Sequence, residues 1–149
     1  MSRSSLDDID MKIINELVKN ARVTYRELAK LVNLTDVAII KRIRKLEQTG
    51  VIKKYTAIID PNALGYSKIS FTGINVKPEK LFDVVKLLKE KTYIKYLALT
   101  SGDHDILAII WAASANELEK IHEEILSLDG VLSVYPMILS EVVKAEAHI

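Results

Sequence analysis

Cysteine is absent from the 149-residue chain, which excludes a disulfide framework, a thiolate zinc site and a cysteine nucleophile, and fits a cytoplasmic protein. No apolar run reaches the roughly 18 residues that a membrane span requires. The opening Met1-Ser2-Arg3-Ser4-Ser5-Leu6-Asp7-Asp8 lacks the apolar core of a secretory signal, so a soluble protein without membrane association is expected. No phosphate-cradling glycine motif is present. Arginine is missing after Arg44. What remains, 49% hydrophobic and 28% charged, is the balance of a globular chain, neither disordered nor collagen-like.

The net charge of +1 hides an asymmetry. Residues 1–60 carry 12 Lys and Arg against 8 acids, whereas residues 61–149 carry 9 Lys against 12 acids. Arginine's planar fork suits phosphate and guanine edges, so its confinement nominates the first part for a polyanion. Turn residues cluster in Asp60-Pro61-Asn62-Ala63-Leu64-Gly65-Tyr66-Ser67. The expected organisation is a first domain over 1–60, a linker over 61–67 and a second domain over 68–149.

In the first domain, Leu6, Ile9, Ile13 and Leu17 recur at helical spacing behind Asp7, Asp8 and Asp10, predicting a helix to about Asn20. Thr24-Tyr25-Arg26-Glu27 is a capping-box pattern opening a short second helix with Leu28, Leu31 and Val32 on one face. Asn33-Leu34 predicts a tight corner. Thr35 then caps a third helix whose inner stripe is Val37 or Ala38, Ile39, Ile43 and Leu46, stopped by Gly50. Lys41, Arg42, Arg44 and Lys45 fall mainly on its outer arc.

A short helix, a brief turn and a basic helix describe a helix-turn-helix, whose last element enters the major groove. The β-prone run Val51–Ile59, with Lys53 and Lys54, predicts a wing or lead-in strand bearing phosphate-binding lysines. Basic residues late in the third helix, and the starts of the second (Tyr25, Arg26) and third (Thr35), are candidate phosphate contacts. Asp36, Val37, Ala38, Ile40 and Lys41 are placed for base edges; Ile40 either meets a thymine methyl or packs on the wing.

The second domain repeats itself. Leu81, Val84 and Leu88 correspond, at an offset of 37, to Leu118, Ile121 and Ile125. One helix is expected over Pro78–Lys91 with Pro78 in its first turn, another over Ser114–Leu128 with the capping-box pattern Ser114-Ala115-Asn116-Glu117. Strands are expected over Ile69–Val76, Tyr93–Thr100, Ile106–Ala112 and Val131–Leu139. The order βαββαβ predicts an α+β, ferredoxin-like plait with both helices on one face. Leu107, Ile109 and Trp111 alternate with Ile106, Ala108 and Ile110, so the sheet is apolar on both faces. Its second face is expected to pair with another copy.

His104, between Asp103 and Asp105, suits a general base or metal ligand in type, but an ordinary polar hairpin is the stronger reading. His122 and His148 have no metal-spaced partner, and no catalytic residue, metal or cofactor is assigned. Thr100, Ser101, Gly102, Asp103 and Asp105 offer hydroxyls, close backbone approach and carboxylates for an ammonium group, a mix suited to a zwitterion such as an amino acid; a turn with solvated carboxylates is the alternative.

These motifs resemble the Lrp/AsnC, or feast/famine, family of transcription regulators. Leu6-Asp7, Asp10, Ile13-Ile14 and Leu17 through Arg22 are similar to its opening helix. Glu27-Leu28-Ala29, Leu34-Thr35, Arg42-Ile43-Arg44-Lys45-Leu46-Glu47, Gly50-Val51-Ile52, Tyr55 and Leu64-Gly65 are similar to its winged-helix signature, and Gly102-Asp103-His104-Asp105 and Gly130-Val131 to its effector-domain motifs. The resemblance implies a winged helix-turn-helix and a βαββαβ effector domain, binding double-stranded DNA. It also implies sheet-to-sheet homodimers, often four to a ring (an octamer), and an amino-acid effector held near residues 100–105. His104 departs from a usual tyrosine, Pro136 from a common threonine and Lys54 from a usual glycine. A stand-alone amino-acid sensor or regulatory subunit working through protein contacts is the alternative function. RNA stacking on the sheet lacks its basic-aromatic signature.

Overall fold

The computed structural model describes residues 6–145; Arg3 and His148 lie outside them. The chain forms two compact units, the first ending at Ile58 and the second beginning at Ile59.

The first unit holds α1 (Asp8–Lys19), α2 (Tyr25–Val32) and α3 (Asp36–Gln48). Each starts where a side chain satisfies an otherwise orphaned amide. Asp7 and Asp10 form a reciprocal capping box on α1, Thr24 and Glu27 another on α2, and Thr35 Oγ1 accepts from the Ala38 amide at 3.2 Å. Asn33, in the left-handed conformation at φ 56°, makes the predicted corner between α2 and α3. Ile13, Leu28, Ala29, Ile39, Ile43 and Leu46 close the core. Neither alternative for the start of the α3 stripe joins it: Val37 is 76% exposed and Ala38 only half-buried.

Val51–Ile59 corrects the expectation of a wing. Val51 and Ile52 pack on the core and the Ile52 amide donates to the Leu46 carbonyl, but Lys53–Ile59 runs exposed and joins no ladder among the described residues. β propensity describes a fit to a pleated surface, and the neighbours in this unit are all helices, so the segment has no strand to pair with.

The second unit holds β1 (Lys68–Val76), α4 (Leu81–Lys89), β2 (Ile94–Leu99), β3 (Ile106–Ala112), α5 (Ala115–Leu126) and β4 (Val131–Ile138). The sheet is antiparallel, in the order β2-β3-β1-β4. Ser70, Thr72, Ile74 and Val76 of β1 and Ile106, Ala108, Ile110 and Ala112 of β3 lie under α4 and α5, where Val84, Leu88, Leu118, Ile121 and Ile125 complete the core. The repeated apolar triplets are therefore the buried faces of the two helices. α4 is shorter than the expected helix because Pro78–Lys80 forms a separate 3-10 turn ahead of it. Ser114 Oγ accepts from the Glu117 amide as expected, but the Glu117 carboxylate reaches back to the Ala113 amide instead of closing the box on Ser114. The opposite sheet face presents Phe71, Leu107, Ile109 and Trp111 in adjacent rows, half-buried, and among the described residues of this unit no α-helix covers it.

Candidate nucleic-acid interface and effector loop

On α3 the cap and the stripe decide what faces outward. Thr35 is spent on the cap and Ile39, Ile43 and Leu46 point inward, leaving Asp36, Val37, Lys41, Arg44 and Lys45 exposed. Among the described residues, no ion pair involves Lys41, Arg44 or Lys45. Ile40 is half-buried. Tyr25 and Arg26 stand exposed at the start of α2, and Lys53 and Lys54 on the unpaired segment. That segment is clipped back onto α3 by the Tyr55 hydroxyl, which donates to Glu47 Oε1 at 2.8 Å. Burial, then the adjacent Glu47 carboxylate, push the Tyr55 hydroxyl up to about 12, so it stays a donor.

Arg42 departs from the expected basic arc. Its Nη1 lies 2.7 Å from Asp7 Oδ2 and 2.7 Å from Asp10 Oδ1, turned toward the start of α1. The hydrogen bonds it donates to Asp7, then to Asp10, raise the guanidinium pKa further, while the Asp10 amide, then Arg42, hold the Asp7 carboxyl below its ordinary range. Spacing alone placed Arg42 beside Arg44; its acidic partners, 35 and 32 residues away, are visible only in the fold.

Residues 100–105 form a hairpin that consumes much of its own polarity. The Thr100 amide donates to the Asp105 carbonyl at 2.9 Å and the Thr100 hydroxyl to the His104 carbonyl at 2.7 Å. Asp105 Oδ2 accepts from the Val76 amide at 3.0 Å, where β1 slips register against β4. His104 Nδ1 is 3.2 Å from Asn75 Oδ1, and the ring packs on Tyr135 at a centroid separation of 4.8 Å. The ring also lies against Gly73, where a Cβ would come within 2.3 Å of it. Ser101, Gly102 and Asp103 remain exposed at the tip, with Gly102 at φ 123°, a conformation that favours glycine. The hairpin thus gathers the candidate residues on one turn, but Thr100 and Asp105 are already engaged by the backbone.

A groove of about 410 Å³ beside α5 and β4 had no counterpart in the sequence reading. Lys68, Leu118, His122, Leu126, Pro136 and Ile138 line it. Behind it, the fully buried hydroxyls of Ser70 and Thr72 lie 2.8 Å apart, and Thr72 Oγ1 is 2.9 Å from His122 Nε2. Burial lowers the His122 pKa. Two hydroxyls on the inward row of β1 were the only sequence signal for this chain. Among the described residues no group of three or more His, Asp or Glu could hold a metal ion, and no helix is long and apolar enough to cross a membrane.

A cationic reading helix in one unit and a sheet with a polar hairpin in the other define a helix-turn-helix transcription regulator with an appended sensing unit. Residues 6–47 match the AsnC-type helix-turn-helix domain and residues 69–149 the Lrp/AsnC ligand binding domain, so the chain belongs to the Lrp/AsnC family. It is 41% identical over 140 residues to the HTH-type transcriptional regulator LrpA of Pyrococcus abyssi, covering 93% of this chain and 99% of the relative. The crystal structure of PH0061 matches with a TM-score of 0.83 at 32% identity, over 96% of this chain and 98% of that one. The transcriptional regulator NMB0573 of Neisseria meningitidis, solved as a complex with L-Met, matches with a TM-score of 0.88 over 95% of this chain and 94% of its own. At 22% identity that likeness is one of fold.

Proposed function

We propose that the chain controls transcription from the cytoplasm by laying α3 in the major groove of duplex DNA, and that an amino acid bound near residues 100–105 alters that binding. The observation that carries the reading is the unpaired cationic row Lys41, Arg44 and Lys45 on a helix whose opposite stripe is buried. Its charges, with Arg26, Lys53 and Lys54, give salt-dependent phosphate affinity, and Asp36, Val37, Ala38, Ile40 and Lys41 meet base edges. Residues 1–60 are the reading domain, 61–67 the linker and 68–149 the sensing domain.

The uncovered sheet face, with Phe71, Leu107, Ile109 and Trp111, pairs two copies, and such dimers assemble further, as in an octamer. Two copies supply the two reading heads that paired half-sites require. At the hairpin, Ser101 and Asp103 carry the free polar groups, and Asp103 offers a carboxylate to a ligand ammonium. The match of residues 69–149 to a ligand binding domain supports a small-molecule effector, and the L-Met complex of the Neisseria protein of the same fold makes an amino acid the class proposed. A ligand changes DNA affinity only through unequal affinity for two assemblies, so the contact between dimers is the proposed switch.

Two measurements on the full chain test this. Selection from a random duplex library should enrich a paired half-site, and native mass determination with a panel of amino acids should show a multiple of two copies that shifts with one of them. A monomer that enriches no duplex at low salt overturns the proposal.

A further inference from the structure

We infer that Arg42 serves DNA reading as a positioning residue, tying α3 to the capping box of α1, and not as a phosphate contact. The inference rests on the proposed role of α3. Asp7 Oδ1 accepts from the Asp10 amide at 2.8 Å and Asp10 Oδ2 from the Asp7 amide at 3.3 Å. The two remaining oxygens, Asp7 Oδ2 and Asp10 Oδ1, both take Arg42 Nη1 at 2.7 Å. All four carboxylate oxygens of the box are thus engaged. The Arg42 side chain is 28% exposed and that of Asp10 only 9%.

Two arguments separate this residue from its basic neighbours. The first is charge: one guanidinium against two carboxylates leaves the cluster net negative, which repels a phosphate where Lys41, Arg44 and Lys45 attract one. The second is direction. Ile39, Ile43 and Leu46 decide by apolar burial which face of α3 points inward, but burial is non-directional and leaves the fine angle of roll less sharply defined. Charge-assisted hydrogen bonds to a partly buried pair of carboxylates are directional, and they attach to the rigid first turn of another helix. Arg42 thereby fixes the fine roll of α3, and with it the angle at which Asp36, Val37, Lys41 and Arg44 meet a groove.

The sign of one substitution decides the matter. Removing an acid from a DNA-binding domain should, on charge alone, tighten binding to a polyanion. Asp10→Asn is expected to weaken it, since one of the two acceptor positions becomes an NH2 group that faces the Asp7 amide or Arg42 donor to donor. Asp8→Asn removes the same charge from an exposed site that has no ion pair among the described residues, and is the control.

The full chain is titrated with a duplex selected from a random library and with a scrambled duplex of equal composition, across salt, after circular dichroism confirms native helix content. Asp10→Asn and Arg42→Gln should each lose roughly tenfold on the selected duplex, keep the scrambled-duplex affinity within about twofold and keep the salt slope of the wild type. Asp8→Asn should bind both at least as tightly as wild type. If Asp10→Asn does not fold, Asp7→Asn, at a half-exposed site, should show a smaller loss of the same sign. An Arg42→Gln slope shallower by about 0.9 per copy, with a tighter-binding Asp10→Asn, makes Arg42 a phosphate contact and overturns the inference. A wild type that prefers no duplex overturns the DNA reading, and this role with it, and is recognised before any variant is compared.

Discussion

On α3, Lys41, Arg44 and Lys45 stand exposed and have no ion-pair partner among the described residues, whereas beside the hairpin of the second unit Thr100, His104 and Asp105 are each bonded to a neighbouring group. The first arrangement keeps charge available to a polyanion, and the second spends polar groups on holding one loop against one strand. The difference separates two kinds of polar residue that look alike in sequence. Arg44 and Arg42 are two residues apart and only one is free; Asp103 and Asp105 are two apart and only one is free.

Five changes would break or sharpen that contrast. The largest effect is expected from Gly73→Val, because its Cβ would fall 2.3 Å from the His104 ring, and the ring has Tyr135 stacked against it. Overpacking of this kind costs about 1–3 kcal/mol, read by chemical denaturation of the second unit, and the response to an amino acid should vanish while low-salt DNA binding persists. Next is Arg44→Ala, which should weaken binding on all duplexes alike and flatten the salt slope by about 0.9 per copy; an unchanged slope would count against a phosphate role.

Smaller, and more diagnostic, is the pair at the hairpin. Asp105→Asn should cost about 1 kcal/mol in folding stability, since the Val76 amide loses a charged acceptor. Asp103→Asn should leave the denaturation midpoint unchanged and blunt the amino-acid response. The reverse assignment would move the ligand site to Asp105.

The smallest effect is a pH slope. Burial lowers the His122 pKa below its ordinary 6.5, so the unfolded chain binds more protons than the folded one in that range. Stability is therefore unaffected by this group above about 6.5 and declines as pH falls below it. His122→Gln should remove that part of the decline below about pH 6.5, measured as thermal midpoints.

The parts of the fold set by neighbours along the chain were legible beforehand. Thr24 and Thr35 announce two helix starts, Asn33 a corner, and the triplets Leu81, Val84, Leu88 and Leu118, Ile121, Ile125 two buried helix faces. Alternation in Ile106–Ala112 gave both faces of the sheet. What was not legible depends on a partner distant in sequence or lacking in the unit. Val51–Ile59 has strand composition and joins no ladder among the described residues. Arg42 shares the periodicity of its neighbours and differs only in the acids that fold against it. Asp105 reads as a ligand-binding acid until the register shift at Val76 turns an amide toward it.

The contact between Gly73 and His104 carries a consequence for how this sequence can drift. The imidazole occupies the volume that any side chain at 73 would need. A lineage that trims residue 104 gains room for a methyl at 73, whereas one that first enlarges 73 evicts the ring. The order of the two replacements therefore matters, and the pair should be exchanged as a unit when segments of relatives are grafted into this chain.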